Sequence, residues 1–376
     1  MSDPIASDPG TIDAPGRRSA TLKDVAERAG VSTATVARVL HGNGYVAGET
    51  REVVEAAIRE TGYSINAVAQ GLRKRRTFTL GHVLHSIAPN PFFAEVARGA
   101  EQEASASGCG VVMTTTDGEA DRERLAVQTL ISRRVDAIIF TTLTAGDNVE
   151  LAVRAGVPVV QVQRVSHVPT STVTVDNVAG ARAAVEHLIG LGHRRIAFIG
   201  VDPNAPSRHD AGLAGVELHR RRTIERERLT GYLTAHADAD VVVRDELVEL
   251  GGTYYELERA WTAVRRLLAR PAVARPTAIF ATCDMLAAGA LQEIYAHRFR
   301  VPDDISVVGF DDTYASHLTP PLTTVRQPMV EIGQAAARLA IRALQGGEAD
   351  RVPHQVRLTT SLVLRASTGP PPAWAS

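Results

Sequence analysis

The 376-residue sequence predicts an all-α helix-turn-helix head followed by an α/β body of two doubly wound parallel sheets. Three observations predict it. Two short helices with apolar stripes, separated by a glycine turn, fit between Thr21 and Leu40. From Phe78 onward, short apolar runs alternate with helical stretches, as in α/β domains. Positive charge gathers ahead of that alternation: residues 17–80 carry eleven Lys or Arg against six Asp or Glu, although the whole chain has a net charge of -1.

In the head, Thr21 and Asp24 form a capping-box pattern at the start of the first helix. Leu22, Val25, Ala26 and Ala29 share one helical face. Gly30 supplies the positive φ that stops a helix sharply, and Val31 is an apolar plug after the turn. Ser32 is a good N-cap for a second helix to Leu40, marked by Thr35, Val36, Val39 and Leu40. A third helix is expected over residues 49–60, with Val53, Val54, Ala57 and Ile58 as its stripe and Gly62 as its stop. Helix, tight turn and helix within so short a span is the helix-turn-helix plan; a generic helical bundle is the other reading of the spacing alone.

In the body, strands are expected at 80–84, 110–114, 137–140, 157–162, 196–200, 241–243, 278–281 and 305–310. Helices are expected at 93–106, 125–133, 181–191, 261–269, 286–297 and 330–344. About 290 residues of such alternation suggest two open parallel sheets, whose ligands bind beyond the carboxyl ends of the strands.

Composition narrows the function. Domains of roughly 100–200 residues give two or three units here. No apolar run reaches the roughly 18 residues of a membrane span. Residues 1–16, rich in Asp, Pro, Ser and Gly, lack the basic start and apolar stretch of a secretory signal. Two cysteines, Cys109 and Cys283, are too few for a disulfide framework and suit a reducing cytoplasm. A basic head on a mildly acidic body is the asymmetry expected where one part meets polyphosphate. There is no G-x-x-x-x-G-K-[ST] phosphate loop, no G-x-S-x-G elbow and no H-E-x-x-H metal spacing, so an enzyme is not expected. His187 and His193 flank a helix end and read as surface or C-cap groups.

Three motifs carry a resemblance: Asp24-Val25-Ala26 with Ala29-Gly30-Val31-Ser32 in the head, Asn90-Pro91-Phe92-Phe93 in the body, and Ile305-Ser306-Val307-Val308-Gly309-Phe310-Asp311-Asp312 near the end. With them the chain resembles the lac repressor (LacI/GalR) family of transcriptional regulators from Thr21 to Thr368. The resemblance implies a DNA-binding head whose second helix enters the major groove and a body like a periplasmic binding protein, with a cleft between two subdomains. It implies operator contacts from Thr21, Lys23, Ser32, Thr33, Ala34, Thr35, Arg38, His41, Tyr45 and Thr50. In a hinge helix it adds Asn66, Ala69, Gln70 and Leu72, with Leu72 as the minor-groove wedge. Gly71 should cost that hinge about 1 kcal/mol of helix stability. The block Arg73-Lys74-Arg75-Arg76 is open to two readings, phosphate contacts or solvated linker.

For the cleft, the resemblance implies a small-molecule effector, a sugar or glycoside, and no cofactor or metal. The implied contacts are His85, Ser86, Phe92, Phe93, Thr141, Gln163, Arg164, Arg228, Cys283, Asp284, Phe310 and Asp311. Phe92 and Phe93 read more as core residues than as stacking groups, Cys283 also as a small buried residue, and Asp312 as a turn or inter-subdomain contact. Gln163 and Cys283 depart from the Asp and Asn (or Ser) common in the family, which leaves the effector's identity open. The stretch between Gly200 and Arg228 is longer than the family pattern; residues 202–222 read as a surface loop, a lid or an insertion.

The expected organisation is a disordered tail (1–19), the DNA-binding domain (20–64), hinge and linker (65–77), an effector and dimerisation domain (78–368) and a second tail (369–376). Within the large domain, the N-subdomain takes about 78–177 and 327–356, and the C-subdomain about 178–326 and 357–368. The expected partners are a palindromic double-stranded operator, the effector and a second copy in a homodimer, with no membrane, in the cytoplasm at the nucleoid. No leucine heptads follow Arg365, so a tail-mediated tetramer is not expected. The body alone would also suit a solute-binding protein of a transport system; such a protein predicts a signal peptide and no helical head.

Overall fold

The computed structural model describes residues 20–41, 43–63, 76–141, 144–201, 223–251, 257–346 and 352–373. Residues 1–19, the hinge through residue 75 and residues 202–222 lie outside them, so the tail, hinge and long-segment expectations do too. The chain divides into two units, residues 1–75 and 76–376.

The described part of the first unit holds α1 (Leu22–Ala29), α2 (Thr33–His41) and α3 (Gly48–Thr61). Val25, Ala26, Val36, Val39, Val54 and Ala57 form its core. Val53 was expected in that core but is 46% exposed. The buried pair Val54 and Ala57 sets the inward face of α3, and Val53 falls to one side of it. Gly30 and Gly62 both adopt left-handed backbone, φ 65° and 64°, as the helix stops require. Arg28 pairs with Glu60, tying α1 to α3.

The second unit contains two six-stranded sheets among the described residues. The first is built from β1 (Thr79–Leu84), β2 (Gly110–Thr115), β3 (Ala137–Thr141), β4 (Val159–Val162), β5 (Ser171–Val175) and β11 (Gln355–Leu358). Its order is β11-β5-β4-β3-β1-β2, all parallel. α4 (Pro91–Ala106) and α11 (Met329–Gln345) cover one face, and α5 (Ala120–Ser132) with α6 (Gly146–Arg154) the other.

The second sheet comprises β6 (Ile196–Gly200), β7 (Val248–Leu250), β8 (Ala278–Ala281), β9 (Ser306–Asp311), β10 (Thr323–Arg326) and β12 (Ser361–Val363), in the order β12-β10-β9-β8-β6-β7. Its faces carry α7 (Asn177–Gly190) with α8 (Thr223–Asp238), and α9 (Leu257–Leu268) with α10 (Asp284–Ala296). Buried on both faces, strands such as Ile196–Gly200 read as continuous apolar runs.

The chain crosses between sheets three times, after β5, β10 and β11. β12 departs from the all-parallel expectation and runs antiparallel to β10. The cause is the crossing: β10 leaves the sheet toward it, and β12 re-enters from it beside β10. The run at 241–243 is not a strand. Val241 closes α8 through its N–H to His236 O at 2.9 Å, Val242 is 77% exposed, and the sheet edge is taken by β7 instead.

The segment after Thr368 is not a frayed end as far as residue 373. His193 is fully buried rather than a surface group. Its Nδ1 lies 2.8 Å from Thr277 Oγ1 and its Nε2 2.9 Å from Gly369 O. His187 Nε2 lies 3.0 Å from Thr368 Oγ1. The two histidines anchor the end of the chain.

Candidate nucleic-acid face and ligand cleft

In the head, the Thr21–Asp24 capping box is complete. Thr21 N–H donates to Asp24 Oδ2 at 2.7 Å, and Asp24 N–H donates to Thr21 Oγ1 at 3.3 Å. Ser32 Oγ accepts from Thr35 N–H at 3.1 Å and shares a hydrogen bond with Thr35 Oγ1 at 2.9 Å. With Val36 and Val39 turned inward, Ser32, Thr33, Ala34 and Arg38 are left exposed at the start and outer side of α2. Lys23 is exposed beside Glu27, Thr50 is half-buried, and Tyr45 is 93% exposed. A small-residue helix start flanked by Arg and Tyr can enter a major groove and donate to base edges or phosphates. The side chain of His41, and Asn66, Ala69, Gln70 and Leu72, lie outside the described residues. Of the basic block, Arg76 is described: it sits over the Phe78 ring, 5.7 Å from its centroid, in the second unit.

In the body, both sheets change strand direction of build at one place, between β1 and β3 and between β6 and β8. Such switch points open a crevice at the carboxyl ends of the strands. His85 and Thr141 lie at the first switch point, and Thr282 and Cys283 at the second. Two site residues at strand ends adopt positive φ, Gln163 after β4 (67°) and Asp311 closing β9 (118°), as does the neighbouring Asp312 (61°). For residues other than glycine this backbone costs roughly 1–3 kcal/mol each and gathers at functional positions.

One hydrogen-bonded chain joins the two subdomains. Gln163 Nε2 donates to Gln327 Oε1 at 2.9 Å, and Gln327 Nε2 donates to Asp311 Oδ1 at 2.7 Å. Arg228, on α8, lies 3.7 Å from that same Asp311 oxygen. Its Nε donates to Asn177 Oδ1 at 3.1 Å, and its NH1 donates to the Thr282 carbonyl. Its guanidinium carbon lies over Phe310, 3.8 Å from the ring centroid. Phe310 is fully buried, so it serves as the platform under Arg228. Beside this chain, Arg164 pairs with Glu225 in the first turn of α8.

The other expected residues divide. His85 packs its ring 5.4 Å from Phe93, which meets Phe92 edge-on at 5.4 Å; both phenylalanines are buried. Burial, helped by the Arg164 charge, lowers His85 to about 4, so its ring is neutral at pH 7. Ser86 is half-buried beside it. Thr141 is buried against His82. Cys283 caps α10, its Sγ accepting from Leu286 N–H at 3.4 Å, and burial pushes its thiol far up. Asp284 spends its oxygens on Thr324 Oγ1 (2.6 Å) and Thr313 N–H (2.8 Å). Gly309 makes room for it, since a Cβ there would sit 2.6 Å from Asp284 Oδ1. Asp312 is taken by Arg326 and Arg365, both at 2.7 Å and both within the second subdomain.

Sequence reasoning missed Gln327, Asn177, Thr282 and Glu225. Asn177 follows the N-cap residue Asp176 at the start of α7 and belongs to no motif singled out in the sequence. Gln327 follows β10 in a crossing between the sheets, with no apolar pattern to mark it. Among the described residues, no cluster of three or more His, Cys, Asp or Glu side chains is placed to hold a metal ion.

Comparison with known proteins decides the family. Residues 21–66 match the model for bacterial regulatory proteins of the lacI family, and residues 185–368 match a periplasmic binding protein-like domain. The ribose operon repressor of Escherichia coli (strain K12) is 35% identical over 329 residues, 86% of this chain and 93% of that protein. The chain belongs to the lacI family. A transcriptional regulator CelR–cellobiose complex aligns at TM-score 0.67 and 32% identity, over 93% of this chain and 99% of that one. The lac repressor dimer bound to operator and the anti-inducer ONPF aligns at TM-score 0.75 and 28% identity, over 94% and 100%. This lacI-family chain is a DNA-binding transcriptional regulator, not an enzyme. The solute-binding alternative has no place for α1–α3. Among the described residues, no helix is long and apolar enough to cross a membrane.

Proposed function

We propose that this lacI-family regulator represses carbohydrate-uptake or catabolic genes and leaves a palindromic operator when a sugar-like ligand enters the cleft. The observation that carries the reading is the Gln163–Gln327–Asp311 chain, with Arg228 beside it, at the seam of the two sheets. Amide, carboxylate and guanidinium groups in one crevice match the alternating donors and acceptors of a polyol. Relatives named for ribose and solved with cellobiose support that class. A ligand touching both subdomains binds one mutual angle better than another, and only that difference shifts the equilibrium. A homodimer places two heads on two half-sites of an inverted repeat. The test has two steps. Bound DNA selected from a random pool should enrich one inverted repeat; selection without enrichment sinks the repressor reading. D-ribose, D-glucose, cellobiose and inosine are then tried for release of that DNA, and release by none of them counts against a sugar effector.

A further inference from the structure

We propose that Gln163 is a specificity-determining acceptor: Gln327 and Asp311 fix the direction of its side-chain amide so that Oε1 is left for a hydroxyl or N–H donor on the ligand. This rests on the reading of the seam as the ligand site. The direction of the chain follows from one end. A carboxylate only accepts, so Gln327 must turn its NH2 toward Asp311. Its Oε1 then faces Gln163, which must answer with its own NH2. Two amides that could each be flipped are thereby set by a single charge.

The remaining atom, Gln163 Oε1, is buried without a hydrogen-bond partner among the described residues, in a residue only 4% exposed. Two more buried polar atoms without partners among the described residues are Arg164 Nε, next in the chain, and Thr282 Oγ1, on the residue whose carbonyl accepts from Arg228. Buried polar groups are nearly always satisfied, so an unmet oxygen on Gln163, at the end of this chain, points to bonding that another molecule completes. The backbone leaves Gln163 little freedom. Its N–H is held by Val173 O at 2.9 Å, and its φ is 67°.

The same chain makes the choice reversible. A protonated Asp311 can donate to Gln327 Oε1; both amides then turn over and Gln163 offers NH2 in place of oxygen. Asp311 is faced by Arg228 from α8, by Cys283 and Asp284 at the start of α10, and by Tyr314 after β9. Burial raises Asp311 to about 6, against the pull of Arg228 and the hydrogen bond from Gln327. At pH 7 to 8 the acceptor form therefore prevails.

The test uses thermal unfolding of the full chain at pH 8. Gln163→Glu cannot donate to Gln327, so it should unfold about 3 °C or more below Gln163→Met. Adding Asp311→Asn lets Gln327 turn over and should remove that difference. In a Gln327→Met background the relay is cut, and Asp311→Asn should bring no such relief. Equal defects for Glu and Met, or relief that persists without Gln327, would overturn the relay. The ligand arm measures binding of D-ribose, D-glucose and cellobiose by calorimetry. For any that binds the wild type, Gln163→Met should weaken binding at least tenfold and Gln163→Glu, still an acceptor, by less than threefold; equal losses overturn the acceptor role. If none of the three binds the wild type, the sugar reading fails, while the unfolding data still decide the relay.

Discussion

Arg164, at the end of the first subdomain's β4, holds the carboxylate of Glu225 in the first turn of α8 in the second. Glu225 is almost completely buried in this pair and Arg164 largely so. Such a pair gains little over a well-packed apolar contact, but removing one partner strands the other charge, at about 3–5 kcal/mol. Arg164→Met should therefore destabilise the body by that order in urea unfolding. The double variant Arg164→Met, Glu225→Gln should recover most of the loss. A double variant as unstable as the single would mean the pair is incidental to the seam.

Arg228 predicts a separation of functions. It reaches Asn177 and Thr282, approaches Asp311 and stacks on Phe310. A lysine keeps the charge but neither the fork nor the flat face. Arg228→Lys should lower effector affinity at least tenfold, about 1.4 kcal/mol, while operator binding without effector stays within twofold. Fluorescence anisotropy with labelled operator, with and without effector, reads both. An unchanged effector response would remove Arg228 from the site.

Gly99 and Gly333 let α4 and α11 touch backbone to backbone. A Cβ at Gly333 would lie 1.9 Å from Val96 O, and one at Gly99 would lie 2.0 Å from Val330 O. Neither neighbour is a side chain that can swing away. Gly333→Ala should destabilise by about 1–3 kcal/mol or more, the usual cost of overpacking. Urea unfolding that matches the wild type would show that the helices part at no cost.

Patterns that reflect burial were legible in the sequence. The head followed from Thr21, Gly30, Ser32 and Gly62, because caps and stops are local chemistry. The interior strands Ile196–Gly200 and Ala278–Ala281 stood out as apolar runs. Edge and crossing elements such as β7, β11 and β12 did not, since a short strand with one open face carries little pattern. At the cleft, Arg228 and Asp311 were found through the family motifs. Gln327 was not, because its place depends on a crossing that brings it beside Gln163, 164 residues away in the chain. The commitments of Asp284 and Asp312 to neighbours within the fold were equally invisible, as a carboxylate looks the same in sequence whether it is spent or free.

His82 gives a pH dependence of known sign. It is fully buried in β1, with Nε2 2.8 Å from Thr141 Oγ1 and Nδ1 without a partner among the described residues. A neutral ring fits if Nε2 carries the proton and donates to Thr141, leaving only a lone pair unmet. Protonation would add a second N–H with no acceptor, and burial lowers His82 from 6.5 to about 4. The folded state thus resists a proton that the unfolded chain takes up near pH 6.5. Stability tied to the neutral ring is complete above about pH 6.5 and is lost as pH falls toward 4, by up to about 3 kcal/mol. Asp284 and Asp311, both raised by burial, work in the opposite direction over that range, so the wild-type curve alone mixes the two signs. The difference between wild type and His82→Gln isolates the ring, because the carboxylates are common to both. Unfolding by urea at pH 8, 6.5, 5.5 and 4.5 should show the variant less stable at pH 8 and gaining on the wild type at each step down. Parallel curves would mean that His82 is not held neutral in the fold.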